Sequence, residues 1–179
     1  RAFSLAMSFA NIITGNKIIK ATDTAIEFYL SSGNNLLSNE ISLADKGIIL
    51  LDSPANLLRN NRFQNANLSL HVEGSTKEGY NNSIDESNLV NGDPIAYIYG
   101  QSGGLIQNKR LAHLTLAYSD NFTVKMNEII NDAVFLFNSM DNKLLENNVS
   151  NNYGMSLVRS ARNEMAGNHL ASNRYSGIN

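Results

Sequence analysis

Gly100, Ser102 and Gly104, within I-Y-G-Q-S-G-G-L-I (98–106), spell G-x-S-x-G, the elbow that presents a nucleophilic serine in many hydrolases. A serine used this way needs a base to take its proton, a carboxylate to orient that base and backbone donors for the oxyanion. Asp120, Asp132 and Asp141 follow Ser102, and His169 lies near the C-terminus, so the order Ser, Asp, His of the α/β-hydrolases is met. Against this, no His precedes His71, so the early His-Gly oxyanion run of that fold is missing. The first hundred residues also lack the succession of βα units that would place an elbow. A serine hydrolase acting through Ser102 is therefore an alternative reading, and the main reading assigns no catalytic residue.

Other chemistry is weaker. Lys109 does not complete a G-x-x-x-x-G-K-[ST] phosphate loop. His71, His113 and His169 are dispersed with no H-E-x-x-H spacing, so no metal ligands and no cofactor are assigned. Cysteine is absent, which removes disulfides and thiolate chemistry. A formal charge of -2, with 14 scattered Lys and Arg residues, leaves no footprint for nucleic acid. Asparagine fills roughly one position in six, in clusters such as Asn34-Asn35, Asn60-Asn61, Asn81-Asn82, Asn147-Asn148 and Asn151-Asn152. Asn hydrogen-bonds its own backbone and tolerates positive φ, so the clusters are expected in turns of a loop-rich surface.

Among the elements that must position these residues, the first 32 residues read as one helix. Leu5, Phe9, Ile12, Ile19 and Ile26 recur at helical steps, Ile13 and Ile18 widen the stripe, and Gly33 is the expected cap. Short helices are expected at Ser42 to Lys46 and Ala55 to Asn60, the second opened by Ser53-Pro54. Leu68, Leu70 and Val72 alternate with polar residues as a half-buried strand, and Ile95 to Tyr99 forms a second. Gly74 to Asp93 reads as a surface loop, and Leu105 to Ala117 as a helix. Met126 to Met140 keeps a helical step, although A-V-F-L-F (133–137) also suits a buried strand. No internal repeat is visible, and one domain spans 1–179, a helix over 1–32 and a globular body over 33–179.

In this order the segments resemble type IV pilins of the type IVb class. E-I-S-L-A-D-K-G-I-I-L-L-D-S-P-A-N-L-L-R-N-N-R-F (40–63) looks like the loop after the pilin helix, and N-L-S-L-H-V (67–72) sits where its first strand belongs. P-I-A-Y-I-Y-G-Q-S-G-G-L-I-Q-N-K-R-L-A-H-L (94–114) is similar to the next strand, turn and helix. G-N-H-L-A-S (167–172) is similar to a Gly-His-aliphatic segment of thin-pilus pilins. The missing disulfide, and the polar N-R-Y-S-G-I-N (173–179) where an apolar strand should close the sheet, depart from major pilins and favour a minor or accessory subunit.

The resemblance implies an α+β fold, one long N-terminal helix packed on an antiparallel sheet. It implies filament assembly through Leu5, Phe9, Ile12, Ile19 and Ile26, with Gly103 and Gly104 making the turn between strand and helix. Partners would be other pilin subunits, the pilus assembly machinery and the inner membrane through an N-terminal segment upstream of Arg1; the location would be the pilus and cell surface. A periplasmic or surface binding module without a filament role is the further alternative.

Overall fold

The computed structural model describes residues 1–151 and 153–173. The chain divides into two compact units, Arg1–Ile95 and Ala96–Asn179. Strand accounts for 54% of the described residues and helix for 2%, which excludes the α+β plan.

The first unit is a β-solenoid of four rungs, each contributing three short strands. The rungs are β1 (Phe3–Ala6), β2 (Ile12–Thr14) and β3 (Lys17–Ile19); then β4 (Thr24–Tyr29), β5 (Asn35–Leu37) and β6 (Glu40–Ser42). Next come β7 (Lys46–Leu51), β8 (Leu57–Arg59) and β9 (Arg62–Gln64), and β10 (Leu68–Glu73), β11 (Ser83–Ile84) and β12 (Leu89–Val90). Every third strand stacks parallel on its predecessor, giving ladders β1-β4-β7-β10, β2-β5-β8-β11 and β3-β6-β9-β12. The second unit repeats the plan. Its strands are β13 (Asp93–Tyr99), which begins in the first unit, β14 (Ser102–Gln107), β15 (Arg110–Leu111), β16 (His113–Ala117), β17 (Asp120–Lys125) and β18 (Glu128–Ile130). They continue with β19 (Val134–Phe137), β20 (Lys143–Leu145), β21 (Asn148–Ser150), β22 (Met155–Val158), β23 (Glu164–Ala166) and β24 (His169–Ala171).

A three-residue strand turns its centre one way and its ends the other, so one side chain per short strand enters the core. Stacking then places like on like. Ile13, Leu36, Leu58 and Ile84 form one inward column, and Ile18, Ile41, Phe63 and Val90 another. In the second unit Ile106, Val124, Leu144 and Met165 line up, as do Leu111, Ile129, Val149 and Leu170. Burying such a Leu or Ile is worth about 1.5–3 kcal/mol.

The corners between strands explain the asparagines. Asn34 Oδ1 accepts from the backbone N and Nδ2 of Asn11 at 2.8 and 2.9 Å, and Asn56 Oδ1 does the same for Asn34 at 2.8 and 3.0 Å. A second ladder runs Asn16, Asn39, Asn61, Asn88, and the second unit carries Asn127, Asn147, Asn168. Serine caps the start of the first of these corners: Ser31 Oγ accepts from Ser8 N, and Ser53 Oγ from Ser31 N. These bonds hold corners that contain left-handed, non-glycine residues such as Met7, Leu30 and Asp52, or Ser38 and Asn60. Each left-handed residue costs roughly 1–2 kcal/mol, so the bend persists because the ladder fixes it.

Several expectations are corrected. No N-terminal helix forms: Leu5 lies in β1, Ile12 in β2, Ile19 in β3 and Ile26 in β4, with Phe9 at the corner after β1. They share no face, since Ile26 is fully buried while Phe9, Ile12 and Ile19 are 62%, 66% and 53% exposed. Neighbouring Ile13 and Ile18 are the core residues, five apart, which is the step of one strand plus one corner. The ladders are parallel, not an antiparallel sheet. The helix expected over Leu105 to Ala117 is the end of β14 with β15 and β16, and those expected at Ser42 to Lys46, Ala55 to Asn60 and Met126 to Met140 are strands and corners. Gly103 and Gly104 lie within β14, so no strand-to-helix turn exists there; Gly103 has φ +77°, and a Cβ on Gly104 would collide with the Phe122 ring. Within Gly74 to Asp93 stand a 3-10 turn (Glu78–Tyr80), β11 and β12, so only part of it is loop. A repeat is present after all, as the rungs. The closing segment from Arg174, like Asn152 of the Asn151-Asn152 cluster, lies outside the described residues.

Candidate functional site

The outward side of β3, β6 and β9 is built from one recurring tetrad: Asn16-Lys17-Ile18-Ile19, Asn39-Glu40-Ile41-Ser42 and Asn61-Arg62-Phe63-Gln64. In each, the Asn joins the corner ladder, the third residue enters the core, and the second and fourth point outward. Register stacks Lys17 on Glu40 on Arg62 in one column, and Ile19 on Ser42 on Gln64 in the other. Lys17, Glu40, Ile41, Ser42, Arg62 and Gln64 line a small groove there. Parallel strands sit about 4.8 Å apart, so a charge recurs at each of three rungs.

The side chains of Lys17, Glu40, Ser42, Arg62 and Gln64 make no hydrogen bond or ion pair among the described residues. Elsewhere similar neighbours close. Arg110 meets Glu128 at 2.7 Å, Lys143 meets Glu164 at 3.5 Å and Arg59 meets Asp85 at 2.7 Å. Arg162 grips Asp141 at 2.6 Å, and that hydrogen bond holds the Asp141 carboxyl below its ordinary value. The β3-β6-β9 face thus keeps two cations, one carboxylate, a hydroxyl and an amide with unused hydrogen-bonding capacity.

The residues of the hydrolase alternative are not brought together. Ser102 opens β14 on the surface, where its Oγ accepts from Asn121 Nδ2 at 3.2 Å. Asp120 accepts from the backbone N of Met140, Asp141 is held by Arg162, and His169 is exposed on β24. Asp132 instead pairs with His113: Nδ1 lies 2.7 Å from Asp132 Oδ2, and Nε2 lies 2.6 Å from Thr115 Oγ1. This Thr-His-Asp chain has the composition of a proton relay, yet His113 and Asp132 are fully buried, Thr115 is 2% exposed, and the Phe135 ring packs on the imidazole. Sealed from any substrate, it is a satisfied polar link between β16 and the corner before β19. Sequence reasoning missed the β3-β6-β9 face, although its signal was present: Asn, a polar residue, an apolar residue, spaced 23 and then 22 residues apart.

A family model described as periplasmic copper-binding protein (NosD) matches residues 1–103 and 101–179. No curated protein matches the chain. Copper takes imidazole, thiolate and thioether ligands. Here cysteine is absent, both ring nitrogens of His113 are engaged in the core, and among the described residues no group of three His, Cys, Asp or Glu is placed to hold a metal. Among the described residues, His, Cys, Asp and Glu thus form no cluster that fits a copper centre. The match also overturns the pilin resemblance and its pilus role, because what had looked like a pilin helix and loop are solenoid rungs within the matched regions. Since the two matched regions together cover the chain from end to end, the chain belongs to the NosD family.

Proposed function

We propose that this chain is a binding module of the periplasm that holds an extended hydrophilic ligand along the outward face of β3, β6 and β9 and performs no covalent chemistry. The observation that carries this is the set of unpartnered polar side chains, Lys17, Glu40, Ser42, Arg62 and Gln64, standing in register on three successive rungs. A small molecule is bound best in a concave, mostly apolar cavity. This groove is small and five of its six lining residues are polar, and stacked repeats favour ligands that extend along them. The NosD family's description as periplasmic supports the location.

The test is retention of the protein on immobilised soluble polysaccharides, with Lys17→Ala, Glu40→Ala and Arg62→Ala combined in one variant. These residues are exposed, so the variant keeps the wild-type circular dichroism. Retention of the wild type on at least one polymer, lost in the variant, is expected. Retention on none, or equal retention of both proteins, sinks the reading. A fluorophosphonate probe is expected to leave Ser102 unlabelled; labelling would restore the hydrolase alternative.

A further inference from the structure

Resting on that reading of the face, we infer that it selects an acidic polysaccharide in which charged and neutral sugars alternate. Lys17 and Arg62 share one outward column with Glu40 between them, each in register with the next. The two cations are therefore two rungs apart, about 9.6 Å, with a carboxylate at the midpoint. An extended sugar chain advances by close to one rung per ring. A uronate over Lys17 and another over Arg62 bring a neutral ring over Glu40, whose carboxylate accepts hydroxyl hydrogens.

The second column fits the same frame. Ser42 lies beside Glu40 on the central rung and adds a hydroxyl that donates or accepts. Gln64 lies beside Arg62, and Ile19, 53% exposed beside Lys17, offers an apolar surface to the C–H face of a ring. The column ends at Leu89, which is in register with Arg62 and carries no charge, so the footprint is three rungs. A polymer charged at every ring would set an anion against Glu40, and like charges in opposition are how a site rejects the wrong partner. A polynucleotide, with a phosphate at every unit, is disfavoured for the same reason.

The experiment is calorimetric titration of the 179-residue chain with three oligosaccharides of equal length. They are hyaluronate, with alternating glucuronate and N-acetylglucosamine; oligogalacturonate, with a carboxylate on every ring; and a neutral chito-oligosaccharide. Hyaluronate is expected to bind tightest, with an affinity that falls as salt rises. Lys17→Gln and Arg62→Gln are each expected to weaken it by up to about fivefold, the range of one exposed ion pair. Glu40→Gln is expected to raise the affinity for oligogalacturonate and so narrow the preference. Equal binding of hyaluronate and oligogalacturonate, unmoved by Glu40→Gln but weakened by the cation variants, overturns the alternation and leaves the binding face standing. Binding to none of the three, or indifference of all three variants, overturns both.

Discussion

Asn39 offers the sharpest test of how this fold is held. It is fully buried, and its side chain makes four hydrogen bonds. Oδ1 accepts from Asn16 N at 3.1 Å and Asn16 Nδ2 at 3.0 Å; Nδ2 donates to Ile13 O at 2.9 Å and Asn61 Oδ1 at 3.0 Å. At about 0.5–1.5 kcal/mol net for each bond, Asn39→Ala is expected to cost about 4 kcal/mol. With an m-value of about 2 kcal/mol/M, that moves the urea midpoint down by about 2 M. Asn16, one rung nearer the N-terminus, supplies the control. Its Nδ2 makes only two bonds, to Thr14 O at 3.2 Å and Asn39 Oδ1, so Asn16→Ala is expected to cost about 2 kcal/mol. Asn39→Asp should be worse than Ala at neutral pH, since it replaces a donor with an anion facing two acceptors. Equal midpoints for Asn39→Ala and Asn16→Ala, or a tolerated Asn39→Asp, would refute the claim that the ladder carries stability.

Gly104→Ala is expected to cost about 1–3 kcal/mol in a thermal melt, because the new methyl meets the Phe122 ring, which is 4% exposed and cannot retreat. Gly103→Ala has open space and costs only its left-handed strain, roughly 1 kcal/mol, so the two neighbours separate packing from backbone. By NMR, the Asp141 carboxyl should titrate below its ordinary 3.8, because Arg162 donates to it, and return upward in Arg162→Ala. The sign follows: a carboxylate with a depressed folded pKa lends stability at neutral pH that is lost as pH falls through that pKa. Since both side chains are exposed, the carbon shift of Asp141 reads the effect and global melting does not.

What was legible in the sequence is a matter of which signal each residue carries. The alternation of Leu68, Leu70 and Val72 gave β10, and the short apolar run at Ile95 gave the core of β13, because longer strands carry a visible period of two. The short strands carry no such period. Leu36 and Ile41, Leu58 and Phe63, Leu144 and Val149 lie five apart, and outward Ile12 and Ile19 complete a false helical stripe. Asparagine was rightly tied to turns, since Asn60, Asn65, Asn108 and Asn138 hold positive φ. Its other work, the buried ladders, depends on register between rungs and is invisible within any one segment. The rungs hid because only the Ser and Asn corners must repeat, and because the insertion from Gly74 breaks the spacing. For the same reason the β3-β6-β9 face could not be assembled from its strands taken singly.

The proposed ligand lies on the outward face of β3, β6 and β9. Amide and side-chain shifts of the isotope-labelled protein, followed during addition of hyaluronate oligosaccharide, test it most directly. The expected result is that Lys17, Glu40, Ser42, Arg62 and Gln64 move together and saturably while the β14-β17-β20 side stays still. Unmoved signals at these five residues, with saturable shifts elsewhere, would contradict it.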